Sequence, residues 1–283
     1  MLEKLFEIIK SILMGIVQGV TEWLPVSSTA HLSLLNELVE MKLSDGFFRI
    51  FEVVIQVGSI LAVLVLYFHK LNPWAKSKTD TEKKNTLTLW VKVLVASIPA
   101  AIVGLLIDDW LDSALEQSAM WIIAATLLIY GVLFIWMENR KKAPKINSFE
   151  EMSYKTALYI GVFQMLALIP GTSRSGSTIL GATLLSTSRV VAAEFSFFMA
   201  IPVMFGASGL KLLKAGVDGS LFTFTGFEWL LLVIGLVVSF LVSLVVIRWL
   251  IAFVKKHSFK PFGWYRIALS VVIVAVETAR LLG

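Results

Sequence analysis

The chain has 283 residues, of which 57% are hydrophobic and 16% are charged, and it contains no cysteine. Soluble domains carry roughly 25% charged residues, so this composition excludes an ordinary soluble protein and predicts an all-α polytopic membrane protein. The lack of cysteine excludes a disulfide framework and a thiolate nucleophile. The net charge of +5 does not indicate a nucleic-acid partner, because the basic residues cluster in short loops between apolar segments, as in membrane proteins.

Transmembrane helices need about 20 mostly apolar residues, and the sequence contains six such segments. Two other apolar regions, 5–39 and 156–188, are too long for one helix and are broken by Pro25 and Pro170. Broken helices at membrane depth are tolerated where they line an enclosed cavity, so each region is predicted to form a re-entrant helical hairpin. The N-terminus has no convincing cleavage site and is expected to be retained. The six predicted transmembrane helices are roughly 50–68, 87–107, 118–137, 191–213, 229–251 and 264–282.

The charges of the loops predict the orientation of these segments. The loops after the segments ending near 68, 137 and 251 are rich in Lys and Arg, whereas loop 108–117 carries only acidic charge. The positive-inside rule places the basic loops in the cytoplasm. The first hairpin then enters from outside and the second from inside. Residues 1–137 and 156–283 therefore form a predicted inverted-topology repeat, joined by a cytoplasmic linker at 138–155, with a site where the broken helices meet.

Short sequence matches favour the same repeat. The segment Gly15-Ile-Val-Gln18 matches Gly161-Val-Phe-Gln164, and after a one-residue gap Pro25-Val-Ser-Ser28 matches Pro170-Gly-Thr-Ser173. We call residues 18–31 the first tip and residues 164–178 the second tip, and we expect the two tips to form one phosphate-handling site.

The first tip begins with two polar residues on one helix face, because Gln18 and Glu22 are four residues apart. A carboxylate at membrane depth is unfavourable without a partner or a functional site. Glu22 is therefore a candidate ligand for a hard divalent cation, Mg²⁺ or Ca²⁺, with Gln18 as a second ligand. A general base and a structural hydrogen bond to a helix end are the alternatives.

After Pro25 a new helix is predicted to begin, with Ser27 or Ser28 as its N-cap. The free amides at a helix N-terminus suit a phosphate, which makes Ser28 and Thr29 candidate phosphate ligands. His31 lies one turn after Ser27, near hydroxyls and a carboxylate. This combination makes Ser27 and His31 candidate catalytic residues, although a lone histidine is often only a packed residue.

The second tip has no carboxylate and is instead rich in hydroxyls around one arginine. The planar guanidinium of Arg174 suits phosphate oxygens, whereas the simpler interpretation is a buried ion pair with Glu22. The segment lacks the residue order of a Walker P-loop. The candidate phosphate ligands around Arg174 are Gly171, Thr172, Ser173, Ser175, Gly176, Ser177 and Thr178, with the two glycines allowing close backbone approach.

These motifs resemble those of a known family. The stretch Gln18-X-X-X-Glu22 followed by Pro25-Val-Ser-Ser-Thr-Ala-His31 is similar to the (Glu/Gln)-X-X-X-Glu and PxSSxxH signatures of the undecaprenyl-diphosphate phosphatases, the bacitracin-resistance proteins. Pro170 to Thr178 resembles the second motif of that family, and segments 51–63 and 188–202 are also similar. The likeness covers essentially the whole chain.

The resemblance implies a multi-pass enzyme of the bacterial plasma membrane whose active site opens outward. It would remove one phosphate from undecaprenyl diphosphate, a polyprenyl lipid, with a divalent cation as cofactor, and so recycle the cell-wall carrier and confer bacitracin resistance. In that mechanism Arg174 and the second tip hold the diphosphate, and Ser27 attacks with His31 or Glu22 as base. Attack by His31 itself, or by water with Glu22 as base, remains an alternative.

Transport is the competing class of function, because inverted repeats with broken helices are common in transporters. A transporter or flippase of a phosphorylated polyprenyl lipid needs binding groups but no catalytic His31 and Glu22 beside a nucleophile. Gly104, Gly131 and Gly235 suit a helix interface, either in a homodimer or within the chain.

Overall fold

The computed structural model is helical and describes residues 2–41, 43–44, 46–115, 119–140 and 142–282, without the side chains of 108–115. In these ranges the only strand-like pairing is an isolated bridge between Ile146 and Thr187. The helices are α1 (Leu2–Thr21), α2 (Ser28–Val39), α3 (Phe47–Leu66), α4 (Phe68–Leu71), α5 (Asp80–Leu115), α6 (Ala119–Asn139), α7 (Tyr154–Met165), α8 (Arg174–Leu184), α9 (Arg189–Val217), α10 (Gly226–Lys256) and α11 (Lys260–Leu282).

Five of these helices, α3, α5, α6, α9 and α10, are long and apolar enough to cross a membrane. Apolar side chains on their outer faces are exposed, for example Leu106 on α5 and Val245 on α10 at 77% and 67%. Exposed apolar faces of this extent fit lipid rather than water, so the chain is a multi-pass membrane protein. The sixth predicted segment, 264–282, lies in α11, which is not among the five.

The acidic loop predicted at 108–117 is wrong for residues 108–115, because α5 continues to Leu115. A helix satisfies its backbone groups internally whatever the polarity of its side chains, so it extends past the apolar segment. The side chains of Asp108, Asp109 and Asp112, and all of Glu116, lie outside the described residues.

Both predicted breaks are present. α1 ends at Thr21 and α2 begins at Ser28, with Ser27 as N-cap at φ 74°. α7 is followed by a short 3-10 turn, and α8 begins at Arg174, with Ser173 as N-cap at φ 72°. The two caps have the same backbone conformation, so the structure pairs Ser27 with Ser173. The predicted alignment paired Ser28 with Ser173 and is wrong by one residue, because the second loop is one residue longer between its proline and its cap.

Helix packing repeats between the two halves of the chain. α1 packs against α10, and α7 packs against α5. Both contacts use glycine: a Cβ atom on Gly15 would lie 2.8 Å from the carbonyl oxygen of Gly235, and one on Gly161 would lie 2.1 Å from that of Ala96. α6 and α11 contact each other extensively. Gly235 thus serves packing within the chain.

The three basic loops meet at one end of the molecule, which we call the basic end. Lys70, after α3, pairs with Glu194 on the first turns of α9 at 2.6 Å and lies over the ring of Phe149 in the loop before α7. Glu138, at the end of α6, accepts a hydrogen bond from the backbone of Phe259 in the α10–α11 loop. These contacts agree with the prediction that the basic loops share one side of the membrane.

Candidate active site

The two tips meet, as predicted, at a buried ion pair between Glu22 and Arg174. Arg174 Nη2 lies 2.9 Å from Glu22 Oε1, and the two side chains are only 12% and 5% exposed. The hydroxyl of Ser175 donates to the carbonyl oxygens of Glu22 and Leu24 at 3.1 and 3.2 Å. The backbones and the charges of the two tips are therefore joined directly.

The second carboxylate oxygen of Glu22 is held within the first tip. It accepts hydrogen bonds from Gln18 Nε2 at 3.0 Å and from the hydroxyl of Ser28 at 2.8 Å. Because Gln18 lies one helical turn before Glu22, the predicted shared face is confirmed. Together with Arg174, three donors therefore surround one carboxylate.

Arg174 has more donors than its ion pair uses. Its Nη1 donates to the carbonyl oxygen of Ser196 on α9 at 2.7 Å, and its guanidinium lies 5.8 Å from the ring centroid of Trp23. Its Nε has no hydrogen-bond partner in the described structure. A buried ion pair contributes little net stability compared with apolar packing, so a functional reason for this pair is favoured over a structural one.

Ser27 and His31 lie at the start of α2. The side chain of Ser27 is buried and accepts a hydrogen bond from the amide of Ala30 at 3.4 Å. A positive φ is unfavourable for serine and is typical of functional positions. Of the two predicted capping residues, Ser27 fills that role, while Ser28 contacts Glu22.

His31 is oriented by two hydrogen bonds. Its Nδ1 lies 2.7 Å from the carbonyl oxygen of Ser27, and its Nε2 lies 2.7 Å from the hydroxyl of Tyr265 on α11. A carbonyl only accepts, so Nδ1 carries the proton, and Nε2 of a neutral ring is an acceptor. The ring therefore presents a basic nitrogen, although the hydrogen bond from His31 reaches the carbonyl of Ser27 and not its hydroxyl.

The hydroxyls of the second tip have different surroundings. Ser173 caps α8 through the amide of Gly176 at 3.1 Å. Ser177 and Thr178 donate to the carbonyl oxygen of Arg174, and Thr178 also contacts the hydroxyl of Ser196 at 2.7 Å. Thr172 is buried, whereas Thr29 of the first tip is exposed.

The two glycines of the second tip lie close to protein atoms. Gly171 has φ 81°, and a Cβ there would lie 2.2 Å from the hydroxyl oxygen of Thr126 on α6. A Cβ on Gly176 would lie 2.9 Å from Nη1 of Arg266. The sequence predicted that these two glycines allow another group to approach the backbone closely. In the structure the groups that do so are Thr126 and Arg266 of the protein itself.

Sequence reasoning missed Arg266, which joins both tips from α11. Its side chain is fully buried; Nη1 donates to the carbonyl oxygen of Pro25 at 3.0 Å, and Nη2 donates to those of Gly171 and Thr172 at 2.8 and 2.9 Å. The guanidinium lies 5.3 Å from the ring centroid of Tyr130. An arginine inside the apolar segment 264–282 was itself a signal, since intramembrane charges are functional by default.

Glu22 and Gln18 are the two residues of the first tip whose side-chain oxygens would coordinate a divalent cation. In the described part of the chain, no three His, Asp or Glu side chains form a cluster that could hold a metal alone. Mg²⁺ is commonly bound by one or two carboxylates together with substrate phosphates. Glu22 would supply one carboxylate to such an ion, and Gln18, whose Nε2 donates to Glu22 in this structure, would supply its amide oxygen once the amide group turned.

The fold and this site together define a multi-pass α-helical membrane protein with a buried carboxylate–arginine centre between two broken helices. Comparison with known families is consistent with that class: the family described as "Bacitracin resistance protein BacA" matches residues 11–272. The chain belongs to this family.

Similar proteins cover nearly the whole chain. An undecaprenyl-diphosphatase 1 of Clostridioides difficile is 55% identical over 271 residues, which are 96% of each chain. An undecaprenyl-diphosphatase of Lactiplantibacillus plantarum is 53% identical over 276 residues, 97% of this chain and 99% of that protein. Another from Streptococcus thermophilus is 49% identical over 280 residues, 98% of this chain and 96% of that protein.

Proposed function

We propose that the chain is an undecaprenyl-diphosphatase, which hydrolyses undecaprenyl diphosphate to undecaprenyl phosphate and inorganic phosphate. The names of relatives with about half of their residues identical support the reaction. The observation that carries the proposal in this chain is the Glu22–Arg174 pair, with Ser27 and His31 on the same tip. Family membership supports a role in recycling the cell-wall lipid carrier and in bacitracin resistance.

In the proposed mechanism the second tip binds the diphosphate. Arg174 and the amides at the start of α8 hold the phosphate oxygens and stabilise charge in the transition state. Ser173 and the other hydroxyls of this tip add donors. The apolar chain of the lipid lies along the membrane-facing helices.

Ser27 is the proposed nucleophile. Its hydroxyl oxygen bonds to the terminal phosphorus, the bond from that phosphorus to the bridging oxygen breaks, and undecaprenyl phosphate leaves. The proton of Ser27 passes to His31 or Glu22. Water then attacks the phosphoserine, which releases inorganic phosphate and restores the hydroxyl. Hydrogen bonds to Tyr265 and to the carbonyl of Ser27 hold His31 in position to act as the base.

A divalent cation, Mg²⁺ or Ca²⁺, is part of the proposal. Glu22 and Gln18 would hold it, and it would neutralise charge on the diphosphate oxygens. Arg174 already neutralises Glu22 in its absence, which explains how the carboxylate is tolerated in a buried position.

The first experiment measures phosphate release from undecaprenyl diphosphate by the purified protein in detergent, with and without EDTA. We expect release in the presence of Mg²⁺ or Ca²⁺, a loss on adding EDTA, and recovery on adding back the cation. Lipid binding without release under any of these conditions would contradict the enzyme and favour a transporter. Phosphate release that is insensitive to EDTA would contradict only the proposed requirement for a divalent cation.

We further propose six transmembrane helices and two re-entrant hairpins in an inverted repeat. The first helix of each half packs against a helix of the other half: α1 contacts α10, and α7 contacts α5. These equivalent contacts support the inverted repeat. The equal caps at Ser27 and Ser173 support it as well. α11 is the sixth membrane helix in this arrangement, and the guanidinium of Arg266 is stabilised by hydrogen bonds to backbone carbonyls. The repeats are residues 1–137 and 156–283, linked at 138–155.

The basic end is proposed to face the cytoplasm of a bacterial plasma membrane, with the site opening outward. Since the chain has no cysteine, single cysteines report orientation without background. Cysteine introduced by Lys84→Cys or Lys142→Cys is expected to react with an impermeant maleimide only after the cells are opened. Cysteine from Thr223→Cys, in the loop after α9, is expected to react in intact cells. The reverse pattern would contradict the orientation.

A further inference from the structure

A cavity of about 340 Å³ lies at the basic end, outside both tips. It is bounded by the end of α6, the turn between α8 and α9, the first turn of α9 and the end of α10. None of its lining residues belongs to the candidate active site, so its chemistry needs a separate explanation.

The cavity carries an excess of positive charge. Arg140, Lys142, Arg189 and Lys255 line it together with the acidic residue Glu138. Glu138 neutralises Arg189 through two hydrogen bonds, at 2.9 Å to Nε and 2.5 Å to Nη2. The other three cations form no ion pair with any described residue and are exposed, so they are available to an anion.

The wall of the cavity also offers unused polar groups. Thr187 is only 2% exposed, and its hydroxyl has no hydrogen-bond partner among the described residues. Ser188 caps α9 without a side-chain hydrogen bond, so the first amides of that helix lack a side-chain acceptor. Buried polar groups are normally paired. A free hydroxyl beside a helix N-terminus therefore suits an anionic oxygen.

This wall is fixed in place by the preceding loop. The carbonyl oxygen of Ser186 accepts hydrogen bonds from the amides of Lys145 and Ile146 at 2.8 and 3.0 Å. The amide of Ser188 donates to the carbonyl oxygen of Ile146 at 2.8 Å. Ser186 itself has φ 68°. The groups that would contact a ligand are therefore positioned in advance, which lowers the entropy lost on binding.

The remaining lining points to a lipid. Met137, Leu184, Val190 and Val254 form apolar walls. The guanidinium of Arg140 lies 4.9 Å from the ring centroid of Trp136, which is 49% exposed, and tryptophans of this kind mark the membrane interface. A second cavity of about 450 Å³ shares Lys255 and combines Arg248 and Lys256 with Leu66, Ile247 and Ile251. Cations beside apolar surface, close to an interfacial tryptophan, match a phospholipid headgroup and its chains.

We propose that this cavity binds the phosphate group of an anionic phospholipid, such as phosphatidylglycerol, in the membrane leaflet at the basic end. Arg140, Lys142 and Lys255 pair with the phosphate, and the hydroxyl of Thr187 donates a hydrogen bond to it. The inference is independent of the proposed hydrolysis, because it rests on a different cavity and is read out by lipid retention rather than phosphate release.

The test measures phosphatidylglycerol retained by the purified full chain after exchange from vesicles with equal parts of phosphatidylglycerol and phosphatidylcholine, by native mass spectrometry. The triple variant Arg140→Gln, Lys142→Gln, Lys255→Gln is expected to retain it about 100-fold more weakly, since each of the three cations near the surface contributes about fivefold. The matched control, Lys76→Gln, Lys84→Gln, Lys155→Gln, removes the same charge from exposed loop and helix-end positions and is expected to retain the lipid as the wild type does.

Thr187→Val provides a second measurement that does not change the charge. It removes an unpaired buried hydroxyl while conserving volume, so folding is expected to be unaffected and lipid retention to fall severalfold. Equal loss in the triple variant and its control, or full retention in both the triple variant and Thr187→Val, would overturn the proposal. Displacement of the lipid by low millimolar inorganic phosphate would overturn the lipid assignment and give the cavity to free phosphate.

Discussion

Ser27→Gly is expected to lower kcat for phosphate release by roughly 10⁴-fold or more, because the loss of a nucleophile leaves only binding and electrostatic effects. Glycine is the informative replacement. It adopts the φ of 74° observed at this position without strain, and it costs only a few tenths of a kcal/mol as an N-cap. The variant therefore removes the hydroxyl while the first tip keeps its shape. Kinetics and a thermal unfolding curve on the same preparation check both statements.

Ser173→Gly is the matched control, because Ser173 has φ 72° and caps α8 in the same way. It removes one of several donors to the phosphate, which for a charged partner is worth about 1.5–3 kcal/mol, so a reduction of roughly 10- to 100-fold is expected. If Ser27→Gly lowered kcat no more than Ser173→Gly, Ser27 would not be the nucleophile. His31→Gln would then separate attack by His31 from attack by water.

The tips were predictable from sequence because their polar residues are anomalous in apolar segments. Glu22 and Arg174 are costly in a membrane unless they are paired or functional, and the predicted inverted repeat indicated that the two tips meet. The proline breaks likewise indicated where the helices end. Each of these signals is carried by residues close together in the sequence, and each is present in the structure.

The supports of the site depend on contacts between distant segments and were not predicted. Tyr265 and Arg266 reach the tips from α11, which lies far beyond the second tip in the chain. Ser196, which accepts from Arg174 and contacts Thr178, is one of many small residues in α9. No local pattern distinguishes such residues, except that the charge of Arg266 in an apolar segment required a buried partner.

The pairing of the helix caps shows a related limit. Counting from each proline aligned Ser28 with Ser173, whereas the structure aligns Ser27 with Ser173. The start of a helix is set by the side chain that satisfies its free amides, and not by the distance from the preceding proline. The extent of α5 was underestimated for a similar reason, because hydropathy marks the apolar part of a helix and not its hydrogen-bonded length.

Arg266→Met is expected to lower kcat by about 100-fold or more, since small displacements of catalytic groups have effects of this size. Arg266 does not reach the reacting atoms in the proposed mechanism. It is a positioning residue that holds the backbones of both tips through Pro25, Gly171 and Thr172. Its loss also leaves three buried carbonyl oxygens without their donor, at about 1–3 kcal/mol each, so a lower unfolding temperature is expected.

Arg266→Lys separates positioning from charge. A lysine keeps the positive charge but lacks the planar fork that bonds two separate segments, so we expect kcat to stay at least about tenfold below the wild type, with KM changed less than kcat. Arg280→Met, on the same helix, is the control. Arg280 pairs with Glu37 and Glu277 and is 49% exposed, and surface pairs are worth about 0–1 kcal/mol. Full activity in Arg266→Lys would show that charge suffices, and the bridge between the tips would then not be the reason for the arginine.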